Sequence, residues 1–265
     1  MLAMGLGLVA VVCVVAVAAP WLTRWDPSAI VVAHYVGPQT PGPAHPLGTD
    51  TLGRDMWARL AHGARTSLLT GALATTLAAT VGVGIGIAAG YFGGGVDAAL
   101  MWLVDLVLTL PSLLLLIVLA TVLPPSIWTV PIVIGLVGWT TFARTVRGEV
   151  LVLRGHDYVT AARALGATDG RILLRHVLPG VAPGVVVLAG LGMSAAIGTE
   201  AALSYLGLGA PLPTPSWGRM ISEGQPYFAV APRLVVLPGA AISLAVVGFN
   251  LVAQGVLARR GSGRA

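Results

Sequence analysis

Three features of this 265-residue chain have residue types that could do chemistry. Two carboxylates, Asp105 and Glu200, stand alone inside long apolar stretches. The third is a polar run, DYVTAARALGATDGRILLRHVLPG, at residues 157–180, which carries Asp157, Tyr158, Arg163 and Arg171. An ionisable side chain in a membrane span costs about 2.5–3.5 kcal/mol on the insertion scale, so it faces a bundle interior or water. Asp105 and Glu200 are therefore read either as groups that pair helices or as parts of a pathway. What is missing is equally informative. All fifteen basic residues are Arg and there is no Lys, which excludes a Walker A phosphate loop and Schiff-base chemistry. The five His are scattered, without His-Glu-x-x-His spacing, so no metal site is read. Cys13 is the single cysteine and sits in an apolar run. Val12 stands where a lipoprotein signal needs a small residue, so Cys13 is read as packing.

Composition supplies the frame for these residues. Hydrophobic residues make up 56% of the chain and charged ones 9%, against about 25% charged in a soluble domain; mean hydropathy is +0.89. The expected class is an all-α membrane protein. A spanning helix needs about 20 apolar residues. Six stretches qualify, at residues 2–20, 67–90, 96–120, 127–142, 181–206 and 234–257. The AVA at residues 16–18 resembles a peptidase site, but no positive charge precedes it, so the first span is read as retained. Nine Arg (144, 147, 154, 163, 171, 175, 259, 260 and 264) fall on one side of this scheme and six on the other (24, 54, 59, 65, 219 and 233). The larger set marks the cytoplasm, which puts both termini and the polar run inside. Arg placed beside spans also explains the net charge of +5 without nucleic acid.

Local pattern refines the elements. Ala78, Gly82, Gly86 and Gly90 recur every four residues, giving span two one face that admits a second helix closely. The segment GRDMWARLAHGARTSL, residues 53–68, reads as an amphipathic helix lying at the interface. Trp217 reads as an interface anchor, with partner contact as the sharper alternative. In the polar run, residues 149–165 read as a helix and Gly166 as its left-handed C′ residue. Thr168 or Asp169 can cap a second short helix, and Pro179 sets the boundary to span five. Ala161 and Ala162 are small enough for a helix to lie in a groove. Taken alone, the run is a solvated connector between two spans.

The run TAARALGATDGRILLRHVLP, however, resembles the EAA loop of the permease subunits of bacterial ABC importers. Thr160-Ala161-Ala162 takes the triplet, Gly166 the required glycine, and Leu178-Pro179 the closing pair. Thr160 replaces the usual Glu and His176 the usual apolar residue, both as in the dipeptide, oligopeptide and nickel branch. HPLGTDTLGRDMWARLAHGARTSL, GYFGGGVDAALMWLVDLVLTLPSLLL and EAALSYLGLGAPLPTPSWGRMISEG resemble the same branch in the expected order, closest to its shorter, C-type permease. The tail, FNLVAQGVLARRGSGRA, loses the family's acidic end.

The resemblance implies a type I importer bundle of about six transmembrane helices in the cytoplasmic membrane. Residues 1–66 would be the first helix and an extracytoplasmic loop, 67–257 a permease core with the coupling loop at 144–180, and 258–265 a cytoplasmic tail. It implies no enzyme activity in this chain and no cofactor: ATP and Mg would be bound by two partner ATPase subunits. A second permease and an extracytoplasmic binding protein complete the implied set. Asp157, Tyr158, Ala161, Ala162, Arg163, Gly166 and Arg171 would contact the ATPase. Dipeptides, oligopeptides, glutathione, haem and nickel chelates share this pattern, with peptides favoured. The rival class is a stand-alone secondary transporter, which would have only Asp105 and Glu200 as ion sites.

Overall fold

In the computed structural model, residues 1–32 and 37–262 are described, with side chains as far as residue 259. Five helices are long and apolar enough to cross a membrane, and a bent pair can supply a sixth span. They are α1 (Leu2–Leu22), α2 (Met56–Phe92), α5 (Thr129–Leu153), a continuous helix over Asp169–Tyr205, and α10 (Arg233–Ser262). The bent pair is α3 (Gly94–Thr109) and α4 (Ser112–Val122), which meet at 86°. The continuous helix opens with α7 (Asp169–Ile172), passes a π turn at Leu173–Val177 and continues as α8 (Leu178–Tyr205). α6 (Asp157–Ala164) lies between α5 and α7, and α9 (Trp217–Gly224) between α8 and α10.

The centre of the bundle is the α2–α5 pair, and the small-residue face is what brings the two together. A Cβ on Gly86 would stand 2.6 Å from the Ala143 carbonyl oxygen, and one on Gly90 2.8 Å from the Val150 Cβ. A Cβ on Gly82 would collide with the Trp139 carbonyl. α1 closes on α10 by the same device, which the sequence reading did not single out. A Cβ on Gly5 would stand 2.7 Å from the Val252 nitrogen, and one on Gly255 2.6 Å from the Leu2 Cβ.

Five expectations need correction. The helix expected over 149–165 is broken, with α5 ending at Leu153 and α6 starting at Asp157. Span three is not one helix: Pro111 disfavours helical backbone at Leu110 and has no N–H to donate, and Leu110 is extended at φ −87°, ψ 137°. The segment expected to lie at the interface is instead the first part of α2. Asp55 caps that helix, accepting from the Ala58 N–H at 2.7 Å. Its Arg59 is buried, beside Asp50 and 2.8 Å from Glu223 of α9, while Arg54 bonds both carboxylates. Burial pushes the Glu223 carboxyl up, with Arg54 pulling against it. Pro179 does not end a helix either. Leu178 donates five residues back, to Leu173, and this wider turn takes the preceding carbonyls clear of the proline ring. Finally, Trp217 is buried and donates to the Leu60 carbonyl at 3.0 Å, so it is a packing residue between α9 and α2.

Extra methylenes in a packed core cost about 1–3 kcal/mol. Gly86→Val should therefore lower the melting temperature of the detergent-purified chain. Gly84→Val, on an exposed face with nothing within 4 Å of its added Cβ, should leave it unchanged. Equal melting of the two variants would contradict the α2–α5 contact.

Candidate functional site

The polar run leaves the bundle at the end of α5. Its first helix, α6, carries Asp157 in its opening turn, where the free N–H groups of a helix start favour a carboxylate. Gly166 has φ +82°, a backbone that costs a residue with a side chain about 1–2 kcal/mol. Its N–H donates to the Arg163 carbonyl and that of Ala167 to the Ala162 carbonyl, both at 3.0 Å, the paired bonds of a Schellman closure. Thr168 takes the cap position of α7 but makes no side-chain cap bond. The Asp169 carboxylate instead accepts from the Tyr91 hydroxyl of α2 at 2.6 Å.

One side of this loop is anchored and the other is offered outward. Val159 and Ile172 are fully buried against Val146, Val150, Val177 and Val181. Ala162 is half-buried on that side, so its small size serves the bundle. Asp157, Ala161, Arg163, Gly166 and Arg171 are exposed, and Leu165 stands out at 88% exposure. The Tyr158 ring stacks on His156, with centroids 5.5 Å apart and planes at 15°, and tilts toward His176 at 5.8 Å. The outward face is thus two short helices with small residues, one arginine on each, and an apolar tip. It has the form of a docking surface.

The two intramembrane carboxylates are not together. Glu200 is buried in α8 and accepts from Ser67 of α2 at 2.7 Å and from Ser204 at 2.6 Å; it ties α8 to α2. Asp105 of α3 pairs with Arg144 of α5 at 2.5 Å, and both side chains are more than half exposed. A second pair, Asp97 with Arg147, holds the start of α3 to α5 through two bonds of 2.5 and 2.6 Å. Arg144 and Arg147 therefore belong to α5 and not to a loop. A cavity of about 420 Å³ opens between α2, the α3–α4 bend, α5 and α8. Thr75, Ser112, Thr140, Thr141, Gly192 and Thr199 contribute to its wall, together with apolar side chains. Neither Asp105 nor Glu200 borders it, and among the described residues no charged one does. The backbone break at residues 110–111 lies beside it, flanked by the lining residues Leu108 and Ser112. Non-helical backbone at membrane depth is tolerated where it is buried in protein or lines water.

Among the described residues no cluster of three His, Cys, Asp or Glu side chains could hold a metal ion. Comparison with known proteins then decides the class. Residues 82–260 match the family model described as "Binding-protein-dependent transport system inner membrane component". The chain belongs to that family.

This permease is 39% identical over 252 residues to the oligopeptide transport system permease protein OppC of Bacillus subtilis, covering 95% of this chain and 82% of that one. It is 39% identical over 218 residues to the dipeptide transport system permease protein DppC of Alkalihalophilus pseudofirmus, covering 82% and 72%. It is 38% identical over 216 residues to the glutathione transport system permease protein GsiD of Pectobacterium atrosepticum, again covering 82% and 72%. The fold is similar to that of the MetNI methionine ABC transporter in inward-facing conformations. The TM-score is 0.56 at 21% identity, over 76% of this chain and 97% of the solved one. The permease is thus a multi-pass membrane transport subunit with the type I importer architecture.

Sequence reading missed Tyr91 and Arg154 as partners of the loop. Arg154 donates to the Gly90 carbonyl at 2.9 Å and so caps the end of α2. The available signal was Tyr91 itself, a polar aromatic directly after the glycine face.

The geometry of Glu200 sets a prediction. Glu200→Ala would leave two buried hydroxyls without their acceptor, at a cost of about 1–3 kcal/mol. The melting temperature should drop, Glu200→Gln should drop it less, and uptake per assembled complex should stay within about twofold. Unchanged melting with lost uptake would instead put Glu200 on the pathway.

Proposed function

We propose that this chain is one of two permease subunits that together form the translocation pathway of an ATP-driven importer of short peptides. The observation that carries the reading is the outward-facing loop at residues 157–177, in a chain that matches an oligopeptide permease over 95% of its length. The relatives are named for oligopeptides, dipeptides and glutathione, itself a peptide. The cavity wall suits that class. It offers hydroxyls and apolar surface but no fixed charge, so it does not select among side chains by sign.

In this reading two ATPase subunits bind ATP and Mg, which fits a chain without Lys. An extracytoplasmic binding protein delivers the peptide to the outer end. The coupling loop, within residues 144–180, docks in a cleft on an ATPase subunit. Asp157, Tyr158, Ala161, Arg163, Gly166 and Arg171 lie on or beside the docking face, and Ala162 backs it. Closure of the ATPase pair on ATP moves the loop and its helices as rigid bodies, and the pathway opens outward. The Asp105–Arg144 pair is too exposed to face lipid, where charge is costly, and it meets the second permease or the water of the pathway. The loop and both chain ends are cytoplasmic. This orientation is supported by the nine-to-six distribution of Arg and by an even number of spans once α3 and α4 count as one.

Gly166 gives the direct test. Gly166→Ala and Gly166→Arg share the same backbone strain, but only Arg adds bulk to the docking face. Uptake of a tryptic casein digest in membrane vesicles should fall at least tenfold for Gly166→Arg and stay above half for Gly166→Ala, with equal amounts of both in the membrane. Wild-type uptake by Gly166→Arg would overturn the coupling assignment.

A further inference from the structure

Tyr91 stands one residue from the end of α2 and is buried, yet its hydroxyl reaches both helices of the loop. It donates to Asp169, the first residue of α7, at 2.6 Å. It accepts from Arg163 of α6 at 3.3 Å, and the same guanidinium carbon lies 5.8 Å from the ring centroid. One hydroxyl therefore holds the two sides of the Gly166 turn. The ring belongs to the same buried cluster as Val146, Val150, Val159 and Ile172, so it shares a core with both the loop and α5. Arg154 adds a second grip through the Gly90 carbonyl at 2.9 Å. The loop is thus fastened to the end of a helix that is not its neighbour in sequence.

The other end of that helix is fastened too. Arg59, one turn into α2, is buried against Asp50 and lies 2.8 Å from Glu223 of α9, and Arg54 reaches the same Glu223 at 2.8 Å. Between Arg59 and Tyr91 the helix is continuous, a rod of about 48 Å at 1.5 Å per residue. A helix held at both ends by charge-assisted hydrogen bonds moves with whatever moves either end.

We infer that Tyr91 is a positioning residue for the transport cycle: its hydroxyl is the joint that passes displacement of the loop to α2, and α2 carries it to α9 on the opposite side. The inference rests on the coupling-loop reading above. By linkage the joint works in both directions, so events at the outer end reach the loop by the same rod. A purely space-filling Tyr91 would act through its ring alone, and Phe supplies that ring.

The test uses the whole importer in nanodiscs, where both faces are open to solvent, with Cys13→Ala and a reporter cysteine, Ser222→Cys, on α9. The readout is the rate of labelling by a membrane-impermeant maleimide, with and without ATP plus vanadate. Nucleotide trapping should change that rate at least threefold. Tyr91→Phe should abolish the change while trapping as much labelled nucleotide. Asp169→Ala, which removes the other half of the bond and leaves the ring in place, should do the same and serves if Tyr91→Phe complexes fail to assemble. Asp169→Asn, which keeps an acceptor, should restore most of the change. A rate that never responds to trapping, or one that responds equally in Tyr91→Phe and Asp169→Ala, would overturn the inference. If Gly166→Arg is also fully active, the coupling reading itself has failed; if Gly166→Arg is uncoupled, only the role of Tyr91 has.

Discussion

The contact on which the molecule depends is backbone against backbone. Inside a bilayer two helices gain nothing from leaving lipid, so association rests on van der Waals fit and hydrogen bonds. Gly82, Gly86 and Gly90 let α5 approach until the carbonyls of Trp139, Ala143 and Arg147 lie where side chains would otherwise stand. That approach sets the register between the two helices. The register in turn brings the Tyr91 ring to Val146 and Val150 and Arg154 to the last carbonyls of α2. Only then can a loop that starts at residue 154 be clasped from behind. A side chain at any of the three glycines would separate the rods and leave the loop held by α5 and α8 alone.

Polar groups are distributed to suit this frame. Two carboxylates are buried and bonded to their neighbours, Glu200 to two serine hydroxyls and Asp50 to Arg54 and Arg59. Those that are exposed lie at a helix-pair edge, Asp105 with Arg144, or on the loop's outer face. The cavity between them carries none of these charges. Under the proposed reading, a wall of hydroxyls and apolar side chains without fixed charge suits a conduit fed by a separate binding protein.

Much of this was legible from local pattern. The fourfold repeat of small residues needs no partner to be recognised, and Gly166 is marked by the left-handed turn that its position requires. What was not legible came from distant chain or from averaging. The residues at 53–68 look amphipathic because Arg59 is charged, but the groups that neutralise it, Asp50 and Glu223, come from a separate loop and from α9. Trp217 looks like an interface anchor until the Leu60 carbonyl, 157 residues away, accepts its N–H. Hydropathy averaged across residues 96–120 smooths over Leu110-Pro111, although Pro111 alone forecasts a break. Pro179 was over-read as a stop because a π turn can absorb a proline.

The central claim is that the loop's outer face is where an ATPase subunit sits, and proximity can be measured at that face. Leu165 is 88% exposed at the tip of the loop, and Leu212 is 67% exposed in the segment between α8 and α9. A photo-crosslinking amino acid at residue 165 in intact cells should capture the ATPase subunit, and one at residue 212 should not. Capture of the ATPase from residue 212, or none from residue 165 in an importer that still transports, would contradict the docking surface and the orientation together.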